Sequence, residues 1–416
     1  MESRNKEISQ ENIESVIESE TESMTNEEQE NFCHPSDDEI ITKKRSRNPI
    51  KRMREGGMFT RGFKIIGWTF LGTLAIYILS RFVPEFAELW TKYPAHWIRF
   101  ILAKLTGWFP FSLAECVIVS LPVLALAYII ASSVSSRRDD SDRNFYRWMR
   151  PMICIFMVIG ILFFAAFGPA YSRRKLSANL GLEQKAVSAE ELYTTSVKVS
   201  TELNGLVRKV KFDLSGASIM PYDYSTLVEK VNSAFEKYAD GVDYISHFDS
   251  TPKAVALSEA MTYTHISGVY TFMTGESNIN TNYPDYLMPF TMAHEMAHQR
   301  GIAREDEANF VAFLVCIGSD DDYIRYSAYA NMANYLNSAL SRADKELYSQ
   351  YYTNYLPIDV QKEFIAYSKF FDKYRESTAS NVAGAVNNAF LQSQGQQAGT
   401  KSYGLVVDLA VAYYAD

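Results

Sequence analysis

Three apolar runs constrain this chain more than any other feature. Residues 64–83, 111–134 and 151–170 each reach or exceed the ~20 residues that an α-helix needs to cross ~30 Å of hydrocarbon. Backbone polar groups in hydrocarbon must pair within their own segment, so the runs read as three transmembrane helices. Few charges interrupt them. Lys64 and Arg81 sit at the ends of the first, and Glu115 lies one turn into the second, where its carboxylate is expected to reach the membrane interface. The first run starts after residue 60 with no small-residue cleavage site behind it, which does not fit a cleaved signal peptide.

Basic residues set the expected orientation. Lys43, Lys44, Arg45, Arg47, Lys51, Arg52, Arg54 and Arg61 precede the first run, and Arg137, Arg138, Arg143, Arg147 and Arg150 lie between the second and third. Fewer occupy the other side: Lys92, Arg99 and Lys104, then Arg173, Arg174 and Lys175. This bias puts a multi-pass protein in the cell membrane with its N-terminus cytoplasmic and everything after residue 171 extracellular. Trp90, Trp97 and Trp108 in the 84–110 connection suit a segment at the headgroup level. Residues 1–60, acidic and then basic, bury too little apolar surface to offset the entropy of ordering and read as a disordered tail. Of four cysteines, Cys316 alone falls in the C-terminal region, so that region must be stable without an internal disulfide.

Residues 171–416 read as one soluble, mostly helical domain with a small β-sheet. Helical periodicity opens at Ala189 and again over Tyr224–Tyr238, and residues 254–262 suit a short helix or strand. Residues 266–273 are β-branched and aromatic, end at Thr274-Gly275, and form the best strand candidate. From about 285 to 392 the pattern is helical, broken at Gly301, Gly318–Asp322 and Pro357. A loop at 393–402 and a last apolar segment to Tyr414 follow.

Within that helical stretch lies His294-Glu295-Met296-Ala297-His298. On a helix the two histidines fall one turn apart on one face, where their imidazoles converge on one metal ion. Glu295 projects beside them, placed to act as general base toward a metal-activated water. A catalytic zinc needs a third protein ligand and an open fourth position. Gly301 reads as a C′ glycine, after which a second helix starts near Arg304 or Glu305 and folds back on the first. Glu305, Ala308, Asn309 and Ala312 share one face of it, and the small residues allow close packing. Glu305 is therefore favoured as third ligand, with Glu307, on another face, as the alternative. Asn309 suits a partner orienting one of the histidines.

The pattern His294-Glu295-x-x-His298 followed by Glu305-x-x-Ala308-Asn309-x-x-Ala312 resembles the gluzincin metallopeptidases, particularly the membrane-embedded group that includes prenyl-protein and heat-shock proteases. That group carries Asp where this chain has Asn309, and a longer gap between the helices. From about residue 64 the chain is also similar to a bacterial membrane family of unknown function. The likeness rests on Tyr171-x-Arg173, Thr274-Gly275-Glu276-Ser277-Asn278, the His294–Gly301 segment, Arg304–Asn309, Arg325-Tyr326-Ser327 and Ser402-Tyr403-Gly404. The resemblance implies a three-pass anchor carrying a zincin-like domain and a zinc cofactor.

Peptidases of this kind hold substrate as an added strand on a sheet edge, so the 266–273 strand, with Glu276 and Asn278 just beyond it, is the expected peptide-binding segment. Tyr263, His265 and Tyr326 are candidates for the oxyanion partner, with Tyr326 retained. The expected whole is a membrane-anchored zinc peptidase. Its expected partners are the lipid bilayer and a peptide or protein substrate, with no nucleic acid. The alternatives are a receptor or structural module with a structural or sensory metal, and an amide hydrolase acting on cell-wall or lipid substrates.

Overall fold

The computed structural model describes residues 48–415 apart from Gln184 and Glu376, without the side chains of Thr400, Ser402 and Tyr403. Most of the predicted tail, residues 1–47, lies outside the described residues. The described chain begins with α1 (Pro49–Glu55), which Asn48 caps through its side chain. Six helices make up the first part of the fold: α1, α2 (Arg61–Phe82), α3 (Pro84–Lys92), α4 (Pro94–Gly107), α5 (Leu113–Arg138) and α6 (Asp142–Leu162). The last continues through a π-turn at Phe163–Phe167 and a 3-10 turn at Gly168–Ser172.

Three of these helices, Arg61–Phe82, Leu113–Arg138 and Asp142–Ser172, are long and apolar enough to cross a membrane, close to the bounds expected from hydropathy. Their outward apolar side chains, among them Trp68, Val123 and Phe156, have no protein neighbour to bury them, as lipid-facing positions require. Arg52 pairs with Asp142 at 2.6 Å and Arg150 donates to the Gly57 carbonyl at 3.0 Å, so α1 and the α5–α6 connection meet at one end of the bundle. The 84–110 connection is at the opposite end, folded into α3 and α4. Each of them starts with a proline, whose fixed φ and missing N–H suit a first helical position.

The rest of the chain forms α7 (Leu176–Asn179), α8 (Ala189–Val207), β1 (Lys211–Phe212), β2 (Ser218–Ile219), α9 (Tyr224–Ala239), β3 (Lys253–Ala254), α10 (Ser258–Thr262), β4 (Gly268–Thr271) and β5 (Glu276–Ile279). There follow α11 (Leu287–Gln299), α12 (Glu305–Ile317), α13 (Asp322–Ala343), α14 (Lys345–Asn354), α15 (Ile358–Phe371), α16 (Thr378–Ser393) and α17 (Val406–Tyr413). Side-chain caps explain many starts: a Ser188/Glu191 capping box for α8, and Asp223, Asp321 and Asp344 for α9, α13 and α14. The core forms where α12 lies between its neighbours. Phe310, Val311, Phe313 and Val315 share one fully buried cluster with Met292 and Met296 of α11, Ile324 and Leu336 of α13, and Val199 and Leu203 of α8, which packs on α13. Helices apolar on several faces, such as α12, belong in the middle of a fold.

The expected small sheet has three strands, of which the 266–273 run is the best sequence candidate. β3, β5 and β4 form it in the order β3-β5-β4, with β3 parallel and β4 antiparallel to β5. β4 covers only Gly268–Thr271 of the expected 266–273 run. The turn to β5 passes through Gly275 at φ +71, where a Cβ would lie 2.6 Å from Leu102 Cβ of α4. The 254–262 stretch, expected as helix or strand, holds the end of β3 and then α10. The long helical block is broken again at Asp344 and over 372–377, and the β1–β2 hairpin has no counterpart in the sequence reading.

Candidate metal centre

His294 and His298 leave α11 on one face, one turn apart, and Glu305 is the first residue of α12. A Schellman turn brings the two helices together. The Gly301 N–H donates to the His298 carbonyl at 3.0 Å, the Ile302 N–H to the Ala297 carbonyl at 3.1 Å, and Gly301 takes φ +96. The fold-back read from Gly301 is thus present.

The three ligating atoms converge. His294 Nε2 and His298 Nε2 lie 3.0 Å apart, and Glu305 Oε2 is 3.2 Å from the first and 3.3 Å from the second. Donors about 2.0–2.1 Å from a tetrahedral zinc are separated by about 3.3 Å, the edge of the tetrahedron, so this triangle fits such an ion. The tautomer fits as well. His298 Nδ1 donates to the Ile302 carbonyl at 2.7 Å, which leaves the Nε2 lone pair facing the triangle.

Charge in the triangle points the same way. Burial alone would lower His298, but the Glu305 carboxylate, with Glu295 behind it, pushes it up to about 9. Burial alone would raise Glu305, yet His298 and His294 hold it well below the usual carboxylate range. The buried Glu305 carboxylate thus makes the space between the two imidazoles a place where positive charge is stabilised.

Glu307 is not in the triangle. Its carboxylate takes Arg304 Nη1 at 2.9 Å and the Leu176 N–H at 2.9 Å, tying α12 to α7. Asn309 is buried on α12 and hydrogen-bonds the Tyr335 side chain on α13.

Glu295 is buried beside the histidines. Burial pushes its carboxyl above the ordinary range, against the lowering effect of His294 and His298, and it accepts the Tyr270 N–H of β4. Gly268 makes room for it, since a Cβ there would lie 2.7 Å from Glu295 Cγ and 2.8 Å from Oε1. An isolated glycine at a strand start is a sequence signal for close approach, and it was there to be read.

Glu276 and Asn278 do something other than expected. The Glu276 carboxylate accepts the Leu113 N–H at 3.0 Å and the Ala114 N–H at 2.9 Å, at the start of the second candidate span. Asn278 Oδ1 accepts the hydroxyl of Ser112, the N-cap of that helix, at 2.6 Å. Glu115 likewise accepts the Ala256 and Leu257 N–H groups at 2.9 and 2.8 Å instead of reaching for the interface. These three side chains tie α5 to the sheet and to the segment that follows β3, and Glu276 and Asn278 are occupied by that contact. A carboxylate at a helix N-terminus satisfies orphan donors and meets the positive dipole end.

The oxyanion candidates are also engaged elsewhere. The Tyr326 hydroxyl donates to Glu363, whose carboxylate also accepts the Ser218 N–H and hydroxyl, so the fold does not bring Tyr326 to the histidines. The Tyr263 ring packs on Tyr374 at 4.9 Å, and His265 Nε2 meets the Tyr374 carbonyl at 2.8 Å.

The end of the third candidate span adjoins the site, which periodicity and spacing did not announce. Phe167 packs edge-on against His298, with ring centroids 6.1 Å apart, and clusters with Tyr171, Tyr270 and Ala303. Arg173 donates to the Gly301 carbonyl at 2.9 Å and the Tyr244 carbonyl at 2.7 Å and pairs with Glu88 of α3. Arg99 of α4, fully buried, bonds the Ala166 carbonyl at 2.9 Å and the Ser246 hydroxyl at 3.0 Å.

Neither curated proteins nor solved structures gave a match to this chain. One family profile matches residues 91–411, from the end of α3 into α17, and so takes in the histidine helix, the sheet and two of the three candidate spans. With most of its length matched, the chain belongs to the family described as Protein of unknown function (DUF3810).

Proposed function

We propose that this protein is a membrane-anchored zinc-dependent peptidase of gluzincin type that cleaves a peptide or protein substrate close to the membrane surface. The observation that carries this reading is the triangle of His294 Nε2, His298 Nε2 and Glu305 Oε2, with sides of 3.0–3.3 Å and Glu295 next to it. Zinc, when bound there, supplies Lewis acidity and makes a water acidic enough to react near neutral pH. Glu295 takes the proton from the attacking water and returns it to the leaving amine. Its burial favours this role, because a carboxyl raised above its ordinary range is a stronger base.

The sheet supports peptide binding, though not through Glu276 and Asn278. β4 is an edge strand, and the Asn280 N–H donates to the Ser267 carbonyl at 2.9 Å. On an antiparallel ladder that pairing turns the backbone polar groups of Gly268 and Tyr270 away from β5, and the Tyr270 N–H meets Glu295. An extended substrate aligned along this edge has its carbonyl beside the base.

Orientation is read with the N-terminus cytoplasmic and the domain outside. The cluster at 173–175 opposes this less than its charge suggests, because Arg173 pairs with Glu88 and Arg174 lies 3.7 Å from Glu85.

The test uses the full chain, because Phe167 and Arg99 belong to the surroundings of the site and a fragment starting at residue 171 lacks both. Purified in detergent with zinc, the protein is expected to hydrolyse an internally quenched peptide library. Glu295→Gln is expected to keep the metal and lose hydrolysis. Equal hydrolysis by the two proteins would overturn the reading.

A further inference from the structure

The end of the third candidate span runs along the line of metal ligands. Phe167 lies against His298, and Tyr171, one helical turn later, packs on Phe167 at 5.5 Å between ring centroids. The Tyr171 carbonyl accepts Arg304 Nε at 3.2 Å, and Arg304 immediately precedes Glu305. The side chain is 5% exposed and lies within electrostatic reach of Glu305. Among the described residues no hydrogen bond engages the Tyr171 hydroxyl. A phenol donor that no protein group engages, next to a residue of the candidate triangle, is available to stabilise charge developing in a transition state.

We propose that Tyr171 is a catalytic residue that donates a hydrogen bond to the oxyanion formed during peptide hydrolysis, so that the third span supplies part of the active site. This rests on the peptidase reading above. In the first step the water oxygen bonds the carbonyl carbon, a water proton passes to Glu295, and the C=O π pair moves onto the oxygen that faces Tyr171. In the second step that pair reforms the C=O bond, the C–N bond breaks, and Glu295 gives its proton to the amine nitrogen. Tyr171 keeps its proton throughout and serves only as a donor.

The other phenols suit the role less well. Tyr335 is also within reach of Glu305, but its hydroxyl is hydrogen-bonded to Asn309. The Tyr270 hydroxyl, buried without a partner, lies in the field of Arg99.

The test measures binding as well as turnover, on the full-length zinc-loaded protein in detergent. The binding probe is a phosphinic pseudopeptide, whose tetrahedral P–O⁻ group mimics the oxyanion, and its Kd is read by calorimetry. Tyr171→Phe is expected to keep one zinc and its thermal midpoint, to bind the probe at least tenfold more weakly, and to lose about 10²–10³ in kcat with KM little changed. Should Tyr171→Phe fail to hold zinc, 3-fluorotyrosine at 171 keeps the shape and acidifies the phenol, and the probe is expected to bind several-fold more tightly. Wild-type affinity and turnover in Tyr171→Phe, an unchanged Kd with fluorotyrosine, or the loss appearing in Tyr335→Phe instead would each overturn the assignment alone. A zinc-loaded wild type that neither binds the probe nor cleaves any peptide would overturn the peptidase reading and the assignment with it.

Discussion

Glu276→Gln separates a structural role from a substrate-binding one. The carboxylate is 2% exposed, and its two oxygens each take one backbone N–H, from Leu113 at 3.0 Å and Ala114 at 2.9 Å. Glutamine keeps one acceptor and turns an amide nitrogen toward the other N–H. One charge-assisted bond, worth about 1.5–3 kcal/mol, is lost and a buried donor is left unpaired. The attraction between a negative charge and the helix N-terminus, up to about 2 kcal/mol in partly buried settings, is lost as well. Relief from desolvating a carboxylate offsets part of this, leaving a net destabilisation of about 2–4 kcal/mol. If the start of α5 opens locally, its amides exchange faster by the same free energy, a factor of roughly thirty to several hundred. Hydrogen–deuterium exchange on the full chain in detergent reads this directly at residues 113–116. Exchange there within threefold of wild type would refute the capping role and return Glu276 to the peptide groove.

Other substitutions test the site itself. Gly268→Ala puts a Cβ 2.7 Å from Glu295 Cγ, so the base must retreat by about 0.7 Å to reach ordinary contact. Misplacement on that scale is expected to lower kcat by about 10²-fold with zinc retained, and unchanged kcat would contradict it. Glu305→Gln is expected to weaken zinc binding at least 100-fold in a competition titration with a chelator, whereas Glu307→Gln keeps the metal. Glu307→Gln is instead expected to cost about 1–3 kcal/mol in unfolding, since Arg304 and the Leu176 N–H lose their shared carboxylate. Equal zinc affinity in the two variants would show that the ligand has been misidentified.

The parts of this molecule that were legible in the sequence are those set by local periodicity and short spacing. Helix length against bilayer thickness located the three helices long and apolar enough to cross a membrane. The four-residue spacing of His294 and His298, the C′ glycine at 301 and the face shared by Glu305, Ala308 and Ala312 anticipated the fold-back, because all lie within twenty residues. That Glu305 and not Glu307 would face the histidines also followed from helix geometry. Contacts between distant segments left no such trace. Glu276 and Asn278 follow a strand and look like groove residues until Ser112, Leu113 and Ala114, about 165 positions upstream, are brought against them. Tyr326 sits on a helix near the site in sequence, yet Glu363 takes its hydroxyl. Phe167 reads as the end of an apolar span and Tyr171 only as part of the Tyr171-x-Arg173 motif, and only packing shows that they border His298. Glu115, expected to reach the membrane interface, likewise serves the distant Ala256 and Leu257 N–H groups.

The central claim is that His294, His298 and Glu305 hold one zinc ion, and metal content tests it most directly. The full chain, purified in detergent without chelators and analysed by inductively coupled plasma mass spectrometry beside His294→Ala, is expected to carry about one equivalent of zinc, and the variant far less. Less than about a third of an equivalent in the wild type, unchanged in His294→Ala, would contradict the account.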